Sequence, residues 1–179
     1  MNAVIEEVPE LLKLDLGCGK SKRAGFLGVD SRPFEGVDVV ADLSQTWPWP
    51  DNSVAEVNAS HVLEHLKAPE RIHFANELHR VLVKGGKATI ATPHAFSVRA
   101  YGDLTHEWPP VVTFWYLYLN KAWREQNAPH NDLYTCDFDH GYGFGLHPTV
   151  QARNIEYQNY AVVHLVEGAQ DLVVTLTKR

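Results

Sequence analysis

The sequence predicts an α/β protein: an open, mostly parallel sheet with an antiparallel hairpin at its C-terminal end. Three observations carry this. Short apolar, β-branched runs recur through the first half, and several close on an acid. One amphipathic helical stretch, 69–84, interrupts them. The run Leu14-Asp-Leu-Gly-Cys-Gly-Lys20 carries a strand into a double-glycine turn. Open parallel sheets bind ligands beyond the carboxyl ends of their strands, so that turn reads as the floor of a small-molecule site.

Residues 1–10 read as a short arm. Residues 11–15 form the first strand, with Leu11, Leu12 and Leu14 supplying apolar side chains. Gly17 and Gly19 follow, where the chain turns sharply and lets another group approach the backbone. Phe26–Asp30 and Val37–Asp42 are the second and third strands, each ending in an acid. Between Gly19 and Phe26 there is room for little more than a turn. A parallel crossover usually takes a dozen or more residues and a helix. The first half is therefore pared down, with turns in place of helices. Trp47-Pro-Trp-Pro-Asp-Asn-Ser53 is irregular, because its prolines lack N–H donors. Val54–Ser60 is the fourth strand. A helix is expected from Pro69 to Lys84, with Phe74, Ala75, Leu78, Val81 and Leu82 at helical spacing and Gly85-Gly86 ending it. Lys87–Thr92 is the fifth strand.

Residues 94–150 differ in character. They hold His94, His106, His130, His140 and His147 among many aromatic side chains. Pro109-Pro110 open an expected helix over 111–125, and Gly141–Gly145 reads as a loop. Ile155–Val166 and Leu172–Thr177 read as an antiparallel hairpin, on β-branched composition and a short turn.

A length of 179 residues favours one domain, 1–179, with 94–150 as a substrate-side insert or lid within it. The net charge of -6 argues against a nucleic-acid backbone or an anionic membrane as partner. No apolar run approaches the length of a membrane span, and Met1–Pro9 lacks the basic start of a signal peptide. Two cysteines, Cys18 and Cys136, make no disulfide framework. Reduced thiols and a cytoplasmic location are expected.

The motif chain resembles the class I S-adenosylmethionine-dependent methyltransferases, of the compact type 11 kind. The resemblance covers residues 11–93 and rests on Leu14–Gly19, Gly28-Val-Asp30, Ala41-Asp-Leu43, Pro48–Ser53, His61-Val-Leu-Glu-His-Leu66 and Leu82–Gly86. It implies a Rossmann-like sheet and S-adenosylmethionine as cofactor. It places Asp15, Gly17 and Gly19, with Cys18 between them, under the methionine end, the acid near the ammonium. Asp30, with Ser31 beside it, takes the ribose hydroxyls, since a carboxylate is an acceptor with two oxygens. Asp42 and Leu43 face adenine. Ser60 and His61 line the methyl-transfer site. Two departures stand out. Ser21 replaces the third glycine of the turn, and the short crossover leaves no helix N-terminus for the cofactor carboxylate. Lys20, Ser21 or main-chain N–H groups serve there instead.

Methyl transfer from a sulfonium needs alignment, exclusion of water and a sink for the acceptor's proton. Histidine is the natural base near neutral pH. His61 and His106 are the candidates, with Asp103 as orienter or alternative base. The acceptor is a small molecule, a sugar or a protein side chain, with nucleic acid least favoured. Three other readings stand beside this one. A nicotinamide dehydrogenase wants a Gly-x-Gly-x-x-Gly turn opening a helix, which this chain lacks. A zinc site from His130, Cys136, Asp137, Asp139, His140 and His147 is conceivable, because imidazole, thiolate and carboxylate all bind zinc, but the spacings follow no familiar ligand pattern and no metal ligand is assigned. A non-catalytic cofactor-binding scaffold or partner subunit is the third.

Overall fold

The computed structural model describes residues 11–179. The expected N-terminal arm, 1–10, lies outside the described residues. Seven strands form one sheet: β1 (Leu12–Leu16), β2 (Leu27–Asp30), β3 (Val39–Val40), β4 (Val54–Ser60), β5 (Leu82–Pro93), β6 (Phe138–Leu146) and β7 (Ala169–Lys178). Their order across the sheet is β3-β2-β1-β4-β5-β7-β6. Pairing is parallel from β3 through to β5 and antiparallel for β5–β7 and β7–β6. The chain runs outward from β1 to β3, then returns to place β4 on the other side of β1. That reversal is the topological switch point, where open α/β sheets hold ligands.

The pared-down first half is present as expected. No helix lies between β1 and β2, between β2 and β3, or between β3 and β4. Side chains close these crossovers instead. The Arg23 N–H donates to Asp15 Oδ2 (2.7 Å), folding the 17–23 loop back over β1. The Gly28 N–H donates to Asp38 Oδ2 (2.7 Å), and Lys22 Nζ reaches the same carboxylate (2.8 Å). Asp38 thus spends its side chain at the start of β3, and the Ser44 N–H turns onto Asp42 Oδ1 (2.9 Å) at its end. The expected six-residue strand is cut to a two-residue ladder between those two acids.

The helix over the β4–β5 crossover, α1 (Ala68–Val81), is shorter than expected. Leu82 fits both the helical period and a strand. Its ψ of 142° is extended, and it pairs with Val54 at the head of β5. Gly85, at φ +77°, sits within an irregular stretch of that strand rather than ending the helix. Inward-facing Phe74, Ala75, Leu78 and Val81 are buried against the sheet. The Trp47–Ser53 stretch is irregular, as read, and is fastened to α1. Trp47 packs edge-on against Phe74 (centroids 5.0 Å apart), the Trp47 N–H donates to Glu77 Oε2 (2.7 Å), and Arg80 donates to the Trp47 and Trp49 carbonyls.

After β5 come α2 (Arg99–Gly102), a 3-10 helix (Thr113–Leu119), α3 (Lys121–Asn127), α4 (Pro148–Gln151) and α5 (Ile155–His164). Three expectations fail here. The single helix over 111–125 is broken at Asn120, which is extended and caps α3 by accepting the Trp123 N–H (3.0 Å). The glycine-rich 141–145 run is strand, not loop. Residues 155–164 are helix, capped by Asn154, so the antiparallel partner of β7 is β6, with α4 and α5 between them. No helix among the described residues is long and apolar enough to cross a membrane.

Candidate functional site

The carboxyl ends of β1, β2, β3 and β4 converge on a cleft of about 540 Å³. Gly17 and Gly19, at φ +67° and +53°, form its floor. Asp30 and Ser31 reach it from the end of β2, Asp42 and Leu43 from the end of β3, and His61 from the end of β4. Those seven residues were expected at the cofactor. The same cleft also takes Arg32, Phe34, Val62, His65, Leu66 and Thr105, which sequence reasoning left out. Val62, His65 and Leu66 lie within the quoted His61–Leu66 motif, so their signal was present.

Asp30 presents its carboxylate to this cleft. Its Oδ2 accepts the Gly19 N–H (3.0 Å) and its Oδ1 accepts the Arg32 N–H (3.0 Å), which fixes the plane of the carboxylate. One acceptor site remains on each oxygen. Replacing Asp30 with asparagine is expected to weaken S-adenosylmethionine binding about tenfold or more, the value of a charged hydrogen bond. Titration calorimetry measures this, and an unchanged affinity would remove Asp30 from the ribose role. Asp42 is held below the usual carboxylate range by the Ser44 N–H and hydroxyl, so it is a settled anion at the cleft edge.

Asp15, Cys18, Lys20 and Ser60 are not among the cleft-lining residues. Asp15 is buried under the floor, where Asn58 Nδ2 (2.6 Å) and the Arg23 N–H (2.7 Å) take its two oxygens. It ties β1 to β4 rather than facing a ligand ammonium. Cys18 is buried, and desolvation with the neighbouring Asp15 and Asp30 charges pushes its thiol up, so it is no thiolate. The main-chain N–H groups of Cys18, Gly19 and Ser21 are spent on Val29 O, Asp30 and Cys18 O. Of the donors expected for the cofactor carboxylate, the Lys20 ammonium and N–H and the Ser21 hydroxyl are left uncommitted among the described residues. The Lys20 ammonium is the charged one. It stands 5.8 Å from the ring of Phe34, which lines the cleft.

A second cleft, about 680 Å³, opens beside the first and shares His61 and His65 with it. Asp103 and His106 line it together with Glu64 and Arg99, so the three sequence-selected catalytic candidates meet there. His61 is the common point. It adopts φ +57°, unusual for a residue with a Cβ, and such strain gathers at functional sites. Its Nδ1 lies 2.9 Å from Glu64 Oε1, and its Nε2 lies 3.8 Å from Asp171 Oδ1. The bond to Glu64 holds the imidazole above the usual histidine range. Asp103 is committed to Thr105, whose N–H (2.8 Å) and hydroxyl (2.7 Å) it accepts, and is held below the usual range. Its Oδ2 is 4.0 Å from His106 Nε2.

Arg71 was missed by sequence reasoning, since its position in α1 reads as a polar face. It is buried, and its guanidinium donates only to backbone carbonyls: Leu63 (2.9 Å), Glu107 (2.9 Å), Pro109 and, at 3.5 Å, Glu64. The Glu107 N–H also donates to the Glu64 carbonyl (2.7 Å). Arg71 therefore clamps the segment after His106 to the turn after His61. Arg71→Met strands several buried carbonyls and is expected to cost about 3 kcal/mol or more. Chemical denaturation checks this, and a loss under 1 kcal/mol would refute the clamp.

The zinc candidates from 130–147 do not gather. Asp137 accepts the Lys121 N–H, Asp139 pairs with Arg179, and Cys136 is fully buried with its thiol pushed up to about 11 by desolvation. Among the described residues, the one group of metal-ligating side chains is Glu64, His65 and His106, from another part of the chain.

Residues 27–90 match the family model described as a methyltransferase domain. Among solved structures, a SAM-dependent methyltransferase from Archaeoglobus fulgidus is similar over 94% of this chain and 86% of its own, at 20% identity and a TM-score of 0.67. One from Mesorhizobium loti is similar over 98% and 94%, at 19% identity and a TM-score of 0.53. A Haemonchus contortus phospholethanolamine N-methyltransferase 2, solved with phosphomonomethylethanolamine and S-adenosylhomocysteine, is similar over 94% and 48%, at 14% identity and a TM-score of 0.50. No curated protein matches the chain by sequence. At these identities, likeness of structure speaks for the fold, and the matched segment carries the motifs around Asp30, Asp42 and His61. Residues 27–90 thus match a methyltransferase domain, and the chain as a whole has the fold of solved S-adenosylmethionine-dependent methyltransferases.

Proposed function

We propose that this chain methylates a hydroxyl of a polar small molecule or sugar held in the second cleft, with His61 taking the proton. The observation that supports this is the place of His61. It borders both clefts, and its ring lies between two carboxylates, Glu64 and Asp171. In the reaction, the acceptor oxygen uses a lone pair to form the bond to the methyl carbon. The carbon–sulfur bond breaks with its pair left on sulfur, giving S-adenosylhomocysteine. The hydroxyl proton passes to His61 Nε2, and the imidazolium so formed is stabilised by Glu64 on one side and Asp171 beyond the other. That is the logic of a base oriented by a carboxylate.

Histidines, Asp103 and Arg99 make the second cleft polar, which suits an acceptor rich in hydroxyls rather than an apolar one. The acceptor-side wall is narrower than the expected 94–150 insert. Residues 98–106 supply it, whereas Val111, Tyr116, Leu119, Tyr134 and Phe138 are buried in the core. Asp103 and His106 position the acceptor. The free cysteines Cys18 and Cys136 fit a reducing compartment such as the cytoplasm. The test is incubation of the protein with methyl-labelled S-adenosylmethionine and a cell extract, then identification of the labelled species. Label in a hydroxyl-bearing small molecule is expected. Tight cofactor binding with no transfer to any extract component would instead support a non-catalytic scaffold.

A further inference from the structure

Glu64, His65 and His106 bring three ligand atoms to within 4.8 Å of one another. Zinc ligands at about 2.1 Å, arranged tetrahedrally, stand about 3.4 Å apart, so modest side-chain rotation closes the set. Each side chain is already oriented from behind. His65 Nδ1 lies 3.3 Å from the Thr105 carbonyl, and His106 Nδ1 lies 3.2 Å from the Ala100 carbonyl. A carbonyl only accepts, and the Thr105 hydroxyl, 3.1 Å from His65 Nδ1, already donates to Asp103, so each Nδ1 is placed to carry the proton and each Nε2 is the nitrogen left with a lone pair. This is the arrangement seen behind metal-bound histidines. Glu64 Oε1 is engaged by His61, while its Oε2 is buried with no hydrogen-bond partner in a residue only 4% exposed. A buried carboxylate oxygen without a donor calls for an explanation, and a bound cation is one. Arg71 holds the two backbone segments that carry the set in register.

We infer that Glu64, His65 and His106 bind a divalent first-row transition cation whose open coordination positions face the acceptor cleft. All three residues line that cleft. Two imidazoles with one carboxylate suit zinc, manganese, iron or cobalt better than magnesium or calcium. The inference rests on the reading of this cleft as the acceptor site. There the cation ligates the acceptor hydroxyl oxygen and makes its proton easier to lose. The bonds made and broken are those already described, and no further reactant is needed.

The test is titration of chelator-treated protein with cobalt(II), read by visible absorption and equilibrium dialysis, with S-adenosylmethionine affinity measured in parallel by calorimetry. One cobalt per chain is expected. His106→Ala and His65→Gln should each weaken it about tenfold or more. His106→Ala should keep its cofactor affinity, because His106 does not line the cofactor cleft. The exposed His65 ring makes His65→Gln the variant safe for folding. No stoichiometric cobalt binding by the wild type, or equal binding by wild type and both variants, would overturn the site. Loss of cofactor binding by the wild type would instead strike the methyltransferase reading, leaving the cobalt result legible.

Discussion

Replacing His61 with asparagine is expected to slow methyl transfer by about 10²–10⁴-fold while the protein stays folded and binds cofactor. The choice of asparagine matters. At φ +57° most side chains are strained, and asparagine tolerates that region better than others. Its amide also reaches toward Glu64, so the buried carboxylate is not simply abandoned. What the variant lacks is a nitrogen that accepts a proton between Glu64 and Asp171. The measurement is the initial rate of label transfer from methyl-labelled S-adenosylmethionine, set against calorimetric cofactor affinity. A rate within a factor of three of wild type would show that the acceptor sheds its proton without this ring.

Gly17→Ala is the second large effect. A Cβ built on Gly17 falls 2.3 Å from Val62 Cγ2, and the residue has φ +67°. Two costs combine: about 1–2 kcal/mol for a left-handed conformation with a Cβ, and about 1–3 kcal/mol for overpacking. The sum is a large share of the stability of a domain this size. Val62 itself lines the cofactor cleft, so relief by moving it disturbs the ligand. A lowered melting temperature together with weakened cofactor binding is expected. Gly19→Ala is the internal contrast. Its φ is +53°, but a Cβ there meets nothing within 4 Å, so it should lose only the conformational part of the stability. Equal destabilisation by the two variants would contradict the close approach to Val62.

Why some of this was legible in the chain and some was not follows from the range of the forces involved. The order of strands in the first half, and the ends of β1, β2 and β4, were readable because apolar runs, acids and glycines are local signals, and Asp30, Asp42 and His61 line one cleft beyond those strands. The helix end at Val81 was not readable, because Leu82 satisfies a helical period and a strand ladder alike, and pairing with Val54 decides between them. The strand β6 carried a signal that was passed over. Phe138, His140, Tyr142 and Phe144 alternate with Gly141, Gly143 and Gly145, the period of two that a strand requires. The glycines drew attention as turn formers, whereas here they share one face of an extended strand. Asn154 misled in the other direction. A helix cap before β-branched residues outweighed their strand preference, and the first hairpin strand expected at 155–166 became α5. Asp15 and Arg71 lie beyond sequence reading for another reason. Their partners are Asn58 and backbone carbonyls far along the chain, chosen by the finished fold.

The Arg71 clamp is also one of two moorings for the wall of the second cleft. At one end, the Glu107 and Pro109 carbonyls are fixed to α1. At the other, the His94 N–H donates to the Gln170 carbonyl (2.8 Å), and Glu167 receives the Ser97 hydroxyl (3.1 Å) and the Val98 N–H. Between these moorings runs a short span bearing Tyr101, Leu104 and His106. That span is also pinned along its length, by Arg99 on Asp171 (3.0 Å) and by Thr105 against His65 (3.1 Å), so the wall of the second cleft is a strap fastened at both ends and at two points between.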